Sequence, residues 1–133
     1  MTQPRLAEAV RLDADEIGAT ALTAFFNITE RWRLTAEEER TLLGSPPRST
    51  FFKWKSERAA RLSADTLERI SYVMGIYKAL RILLPTEDAA NAWVRKPNKA
   101  SAFAGKSALE RMLAGRVMDL ADVRRYLDAE RGW

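Results

Sequence analysis

The stretch from Ser63 to Leu84, SADTLERISYVMGIYKALRILL, constrains the fold more than any other part of the chain. Leu67, Ile70, Val73, Met74, Tyr77, Leu80, Leu83 and Leu84 recur at steps of three and four. That spacing places them along one side of an α-helix, with Ile76 and Ile82 at its margins. Ser63 supplies an N-terminal cap, and Asp65 a first-turn charge that suits the helix dipole. Pro85 ends the run, because the residue before a proline is pushed out of the helical region. At 1.5 Å per residue the helix reaches roughly 33 Å, the width of a small domain. Its stripe is too wide for one neighbour to cover. It is expected to be a central core helix that also offers surface to a partner.

The rest of the chain contains material for such a core. Of 133 residues, 47% are hydrophobic, which argues against wholesale disorder and suits one domain or two very small ones. Cysteine and histidine are both absent. Disulfides, thiolate zinc sites, the Ser-His-Asp arrangement and the usual general base are therefore excluded together. Asp and Glu are scattered along helix surfaces, so no acid–base pair is evident and an enzyme is not expected. No metal or cofactor is implied. No apolar run spans a bilayer, and the acid-bearing N-terminus lacks the apolar core of a secretory signal, so a cytoplasmic protein is expected.

Charge is concentrated. Arg48, Lys53, Lys55, Arg58 and Arg61 face the single Glu57 within one short segment, which accounts for the whole formal net charge of +4. Localised basicity is the footprint of an acidic partner, most often nucleic acid; the alternative is a solvated helix face.

In chain order, Met1 to Asp13 is expected to be a loose arm or frayed helix. Asp15 opens a helix whose apolar side is Ile17, Ala21, Leu22, Phe25, Phe26 and Ile28, followed by the anchors Trp32 and Leu34. Thr35-x-x-Glu38 is a capping box for a short second helix that ends near Leu42, Leu43 and Gly44. After the turn Ser45-Pro46-Pro47, residues Arg48 to Glu57 form a third helix. Two short helices joined by a glycine-containing turn are the helix-turn-helix pattern, although helical hairpins without DNA share it. Phe51 and Trp54 should point inward. Arg48, Ser49, Phe52 and Lys53 lie on the other flank, where a recognition helix meets base edges. Ser49 and Thr50 suit phosphates, and Lys55, Arg58 and Arg61 suit the backbone. Phe52, if exposed, reaches a thymine methyl; if buried, it is core.

Beyond the central helix, Thr86 caps EDAANAWV, with Ala90 and Trp93 on one side, and Arg95-Lys96-Pro97-Asn98 breaks it. Lys99 to Lys106 is a small, basic, irregular segment with Phe103 as its one large apolar residue, suited to a binding surface. Gly105-Lys106-Ser107 is not a phosphate loop: Ala100 stands where the first glycine is needed, and no strand precedes it. Ser107-x-x-Glu110 is instead a second capping box, opening ALERMLAG, with Leu109, Met112 and Leu113 facing inward and Gly115 as its stop. Asp119 caps a last helix with Leu120, Val123, Tyr126 and Leu127 on one face. Arg124, Arg125, Asp128, Glu130 and Arg131 lie on the exposed side. Trp133 is expected to dock, on a partner or on its own domain.

Taken jointly, these residues resemble a known family. In the front half they are Trp32-x-Leu34-Thr35, Leu42-Leu43-Gly44, Ser49-Thr50-Phe51, Trp54-Lys55, Leu62-Ser63 and Leu67-Glu68-Arg69-Ile70. In the back half they are Ile76-Tyr77-Lys78-Ala79-Leu80, Trp93, Lys96-Pro97-Asn98, Phe103-x-Gly105-Lys106-Ser107, Gly115 and Val123-Arg124-x-Tyr126-Leu127-Asp128. From about residue 15 to the end, the chain resembles the Xre/MbcA/ParS-type antitoxins of bacterial type II toxin–antitoxin pairs. The resemblance implies an all-α protein with an Xre-like helix-turn-helix region, residues 1–62. The central helix and a toxin-binding domain would be residues 63–133. It implies a RES-domain toxin as partner, resembling ADP-ribosyltransferases and depleting NAD, whose NAD pocket the antitoxin occludes. It also implies a homodimer that binds operator DNA and forms a larger hetero-oligomer with toxin. Carried over by position, Asn98, Phe103, Gly105, Lys106 and Ser107 fall in the toxin-facing motif. Arg124 to Trp133, with Arg124, Tyr126, Arg131 and Trp133, forms the plug. The family often has two glycines where Ala104-Gly105 stands and a proline at Ala108. The alternative function is a stand-alone helix-turn-helix regulator that dimerises through its C-terminal half.

Overall fold

The computed structural model describes residues 6–132, with side chains from residue 13 onward. The described residues form seven helices: α1 Leu6–Arg31, α2 Ala36–Leu42, α3 Arg48–Glu57, α4 Ala64–Leu83, α5 Glu87–Trp93, α6 Ala108–Met112 and α7 Val117–Glu130. No strand occurs among the described residues; one isolated bridge pairs Pro97 with Ser107.

Helix α4 is central, packed against α1, α7 and α5. Its buried arc differs from the expected stripe. Ile70, Val73, Ile76, Ala79 and Leu80 are buried, whereas Met74 is 41% and Ile82 56% exposed. On a helical wheel the buried positions cover about half the circumference, from Ala79 through Ile76 and Leu80 to Ile70. Met74 falls just beyond one edge of that arc. Two flanking helices define the buried arc, so Ile76 moves from margin to centre. Ser63 caps the helix by accepting from the Thr66 amide at 3.2 Å. Leu84, before Pro85, is extended.

Helix α1 starts at Leu6 rather than at Asp15. Nothing between Leu6 and Asp15 breaks a helix, and Ala, Leu, Glu and Arg there all favour one. Leu22, Phe25, Phe26, Ile28 and Trp32 are buried as expected, but Ile17 is 55% exposed. Gly18 is buried where the backbone at Ala60 crosses α1.

The last helix begins three residues earlier than expected, at Val117. Asp119 is therefore not its N-cap but sits in the first turn, buried, and accepts from the Arg116 amide at 3.1 Å. Its other contacts are the Arg116 and Arg111 guanidinium groups, each at 3.2 Å. Burial alone would push this carboxyl up; the Arg116 guanidinium and amide, with Arg111, overcome that and hold it below the usual carboxylate range. The depressed folded-state pKa means that the stabilisation is complete above the ordinary carboxylate value of about 3.9. It is lost as pH falls through the folded value. Asp119→Asn should reduce stability by about 2 kcal/mol at neutral pH. In urea titrations its gap from the unsubstituted chain should narrow below about pH 4. A pH-independent gap would contradict the assignment.

Two arginines join distant segments, one tying the helix-turn-helix region to the C-terminal half and the other tying α4 to the turn before α7. Arg95 donates to the Trp32 and Arg33 carbonyls at 3.1 and 2.7 Å. Arg69, held by Asp65 at 3.0 Å, donates to the Gly115 carbonyl at 2.9 Å.

Candidate functional site

The first candidate surface is the α2–turn–α3 unit. Thr35 and Glu38 form the full capping box: the Thr35 hydroxyl accepts from the Glu38 amide at 3.2 Å, and the Glu38 carboxylate accepts from the Thr35 amide at 2.8 Å. The turn uses two consecutive left-handed residues, Gly44 (φ 92°) and Ser45 (φ 57°). Arg40 closes it by donating to the Pro46 carbonyl at 2.9 Å. Pro47 then starts α3 without a side-chain cap, and no acid occupies the first turn.

Within α3 the expected division holds for the aromatic and N-terminal residues. Phe51 is fully buried and Trp54 half-buried, while Arg48, Ser49, Phe52 and Lys53 are exposed and Thr50 is half-buried. Arg48 pairs with Glu37 at 3.3 Å across open solvent, a contact of little strength. Lys55 and Arg58 are engaged inside the protein. The Lys55 ammonium meets the buried Glu39 carboxylate at 2.6 Å, which also receives the Thr29 hydroxyl at 2.5 Å. Arg58 caps α3 in the left-handed conformation, donates to the Lys55 carbonyl at 2.9 Å and lies 4.7 Å over the Phe26 ring. Both hold α3 onto α1 and α2.

The second candidate surface is the segment from Val94 to Ser107 with α7 beside it. The Asn98 amide donates to the Lys106 carbonyl at 3.0 Å, and the Gly105 amide returns to the Asn98 carbonyl at 2.9 Å. The Asn98 side chain accepts from the Ala100 amide at 2.8 Å. The loop is thereby closed, with Ala104, Gly105 and Lys106 exposed at its tip. Phe103 is not on that tip. It is buried, its ring centroid 6.0 Å from Trp93 and 4.9 Å from Tyr126, edge-on to both. Ser107 is also inside, capping α6 by accepting from the Glu110 amide at 3.1 Å. Glu110 reaches the Ser107 hydroxyl rather than its amide, so only half of the expected capping box forms.

A recess of about 270 Å³ opens beside the loop, lined by Ser101, Phe103, Lys106, Glu110 and Arg111 among others. Arg111 organises this corner, donating to the Ala102 carbonyl at 3.1 Å and to Asp122 at 2.6 Å besides Asp119. Along α7, Arg124 is not freely exposed: it is half-buried, bonded to Asp128 at 3.1 Å, and lies where a side chain at Gly75 would stand. Arg131 is also tucked in, with its side chain 7% exposed and 3.7 Å from Asp128. Tyr126 is half-buried, stacked with Trp93. Trp133 lies outside the described residues. No metal-binding cluster of acids occurs among the described residues. Glu39, Arg95 and Arg111 had no signal in the sequence, because their roles depend on partners far along the chain.

Ala104 carries a testable strain. It and Gly105 are both left-handed, with φ 50° and 84°. A Cβ disfavours that region, and relief of it exceeds the extra flexibility glycine gives the unfolded chain. Ala104→Gly should therefore stabilise the protein by about 0.5 kcal/mol in urea unfolding; a destabilised variant would contradict the strain.

The family model for the antitoxin Xre-like helix-turn-helix domain matches residues 11–75. The model for the antitoxin Xre/MbcA/ParS C-terminal toxin-binding domain matches residues 79–132. The two stretches meet inside α4. Uncharacterized protein y4oB of Sinorhizobium fredii is 51% identical over 132 residues, spanning 99% of each chain.

Proposed function

The chain belongs to the Xre/MbcA/ParS antitoxin family, and on that premise we propose that it neutralises a RES-domain toxin and represses its own operon. The closed loop from Asn98 to Ser107 carries the first half of this reading. It holds Gly105 and Lys106 outward on a rigid base of Trp93, Phe103 and Tyr126. A preformed surface loses little entropy on docking. With α7 beside it, the loop covers the toxin's NAD site and keeps substrate out. Phe103, Ser107 and Tyr126 serve as supports, and Asn98, Gly105 and Lys106 as contacts. Arg124 and Arg131 act at the same face once drawn from Asp128, and Trp133 follows them into the toxin. The chain acts by binding, in the cytoplasm; no helix among its described residues is long and apolar enough to cross a membrane.

The second half concerns α3. Its exposed Arg48, Ser49 and Lys53 enter the major groove, with Thr50 on a phosphate. Lys55 and Arg58 position the helix, and Arg61 adds a backbone contact. A homodimer places two such helices on a near-palindromic site, half-sites about one helical turn apart. The toxin complex is a larger hetero-oligomer.

Both halves are tested with the product of the adjacent gene and the upstream DNA. The full chain should capture that product and restore growth; failure of both rejects neutralisation. Replacing Arg48 and Lys53 with alanine should weaken DNA binding about tenfold or more and lower its salt slope by about two for each bound protomer, with toxin capture unchanged. Loss of both activities in a folded variant rejects the division of labour.

A further inference from the structure

We propose that Phe52 reads a thymine in each half-site through its C5 methyl group. This rests on the reading of α3 as a major-groove helix and names what that helix recognises. Phe52 is 51% exposed on a helix face otherwise made of Arg48, Ser49, Lys53 and Ser56. Its ring is the last of a continuous aromatic series that begins in the core. Phe25 meets Phe26 at 5.2 Å, Phe26 meets Phe51 at 5.9 Å, and Phe51 meets Phe52 at 5.1 Å, all edge-on. The outermost ring is thus braced and loses little freedom on contact. Helical side chains lean toward the N-terminus, which carries the ring over the turn holding Arg48 and Ser49. That is the end of a recognition helix that meets base edges.

Charge selects the occupant. No acid precedes Glu57 in α3, and the cations Arg48 and Lys53 flank the ring. A polyanion suits that surround; an apolar protein face does not. A phenyl ring offers no hydrogen bond, and the thymine methyl is the apolar feature that a base edge presents in the major groove.

The full-length chain is used to enrich duplexes from a random-sequence pool. Each thymine of the selected site is then replaced by deoxyuridine, which keeps the pairing and removes only the methyl. One replacement in each of the two half-sites removes two methyl groups and should weaken wild-type binding about fifteenfold, about fourfold for each buried methyl. Phe52→Ala should bind both duplexes equally and no more tightly than the wild type binds the deoxyuridine form. The proposal is overturned if no replacement changes wild-type affinity, or if Phe52→Ala still distinguishes the two duplexes. It is also overturned if Phe52→Ala breaks the homodimer in sedimentation, which would make the ring a protein contact. A wild-type chain that enriches no duplex rejects the DNA reading itself, and the thymine contact with it.

Discussion

Lys55→Ala is expected to lower the free energy of unfolding by about 2–3 kcal/mol. That is a large share of the 5–15 kcal/mol typical of a domain. The Lys55 side chain is 40% exposed, whereas Glu39 is 4% exposed. Removing the lysine leaves a charged carboxylate buried with only the Thr29 hydroxyl against it. Removing the glutamate is milder, because the lysine can turn into water. Alanine at position 39 should thus be less damaging than alanine at position 55. Replacing both partners with neutral residues of similar shape, Glu39→Gln with Lys55→Met, should recover most of the loss. Urea unfolding of the four chains decides this: equal losses for the two single alanine variants would mean that the pair is not the cause. The consequence for function is direct. Lys55→Ala should weaken DNA binding by loosening α3, and lower temperature or an osmolyte should restore binding along with the fold. Arg48 and Lys53, which hold nothing in place inside the protein, should show no such rescue.

This separation among cations was not visible in the sequence. Lys53 and Lys55 are two residues apart in one basic run, and composition treats them alike. What separates them is Glu39, on another helix, and with 22 cations and 18 acids the possible pairings are too many to sort by spacing. Features set by neighbours within one turn were legible. The caps at Thr35, Ser63, Thr86 and Ser107 are all present. The inward Phe51 also followed from helical period alone, whereas period left Phe52 open between surface and core, and it is exposed. Asp119 shows the limit of local reasoning, because an acid in the first turn leaves the same trace as an acid at the cap. On α4 the period was correct but its phase was not, since α1 and α7 together decide whether Met74 or Ile76 turns inward. Phe103 was recognised as the one large apolar residue of its loop. Its burial required knowing that Trp93 and Tyr126 meet there. Of the C-terminal candidates, Arg124 and Arg131 looked exposed by period and are instead drawn back onto Asp128.

Gly18→Ala should destabilise the protein by about 1–2 kcal/mol, against the local preference of the helix. In an isolated α1, alanine would be favoured over glycine by about 1 kcal/mol. Here an added Cβ would stand 1.7 Å from the Ala60 carbonyl oxygen and 2.9 Å from its carbon. Those atoms are backbone and cannot rotate aside as a side-chain tip can. Relief requires moving the segment between α3 and α4, and that segment carries Leu62, which is buried in the core. Overpacking of this kind costs about 1–3 kcal/mol or somewhat more, enough to reverse the propensity gain. Gly75→Ala is the informative contrast. Its Cβ would fall on the Arg124 guanidinium, the mobile end of a long side chain, so the helix gains propensity while Arg124 swings out. The two substitutions are chemically identical and both lie in helices, yet their effects on the free energy of unfolding, read from urea titrations, should differ by about 2 kcal/mol or more. Ala60→Gly should not rescue Gly18→Ala, because the clash is with a carbonyl that glycine retains. If Gly18→Ala instead raised the midpoint, the close crossing of α1 by the chain at Ala60 would be wrong. The path by which α3 is carried back to α4 would then need to be redrawn.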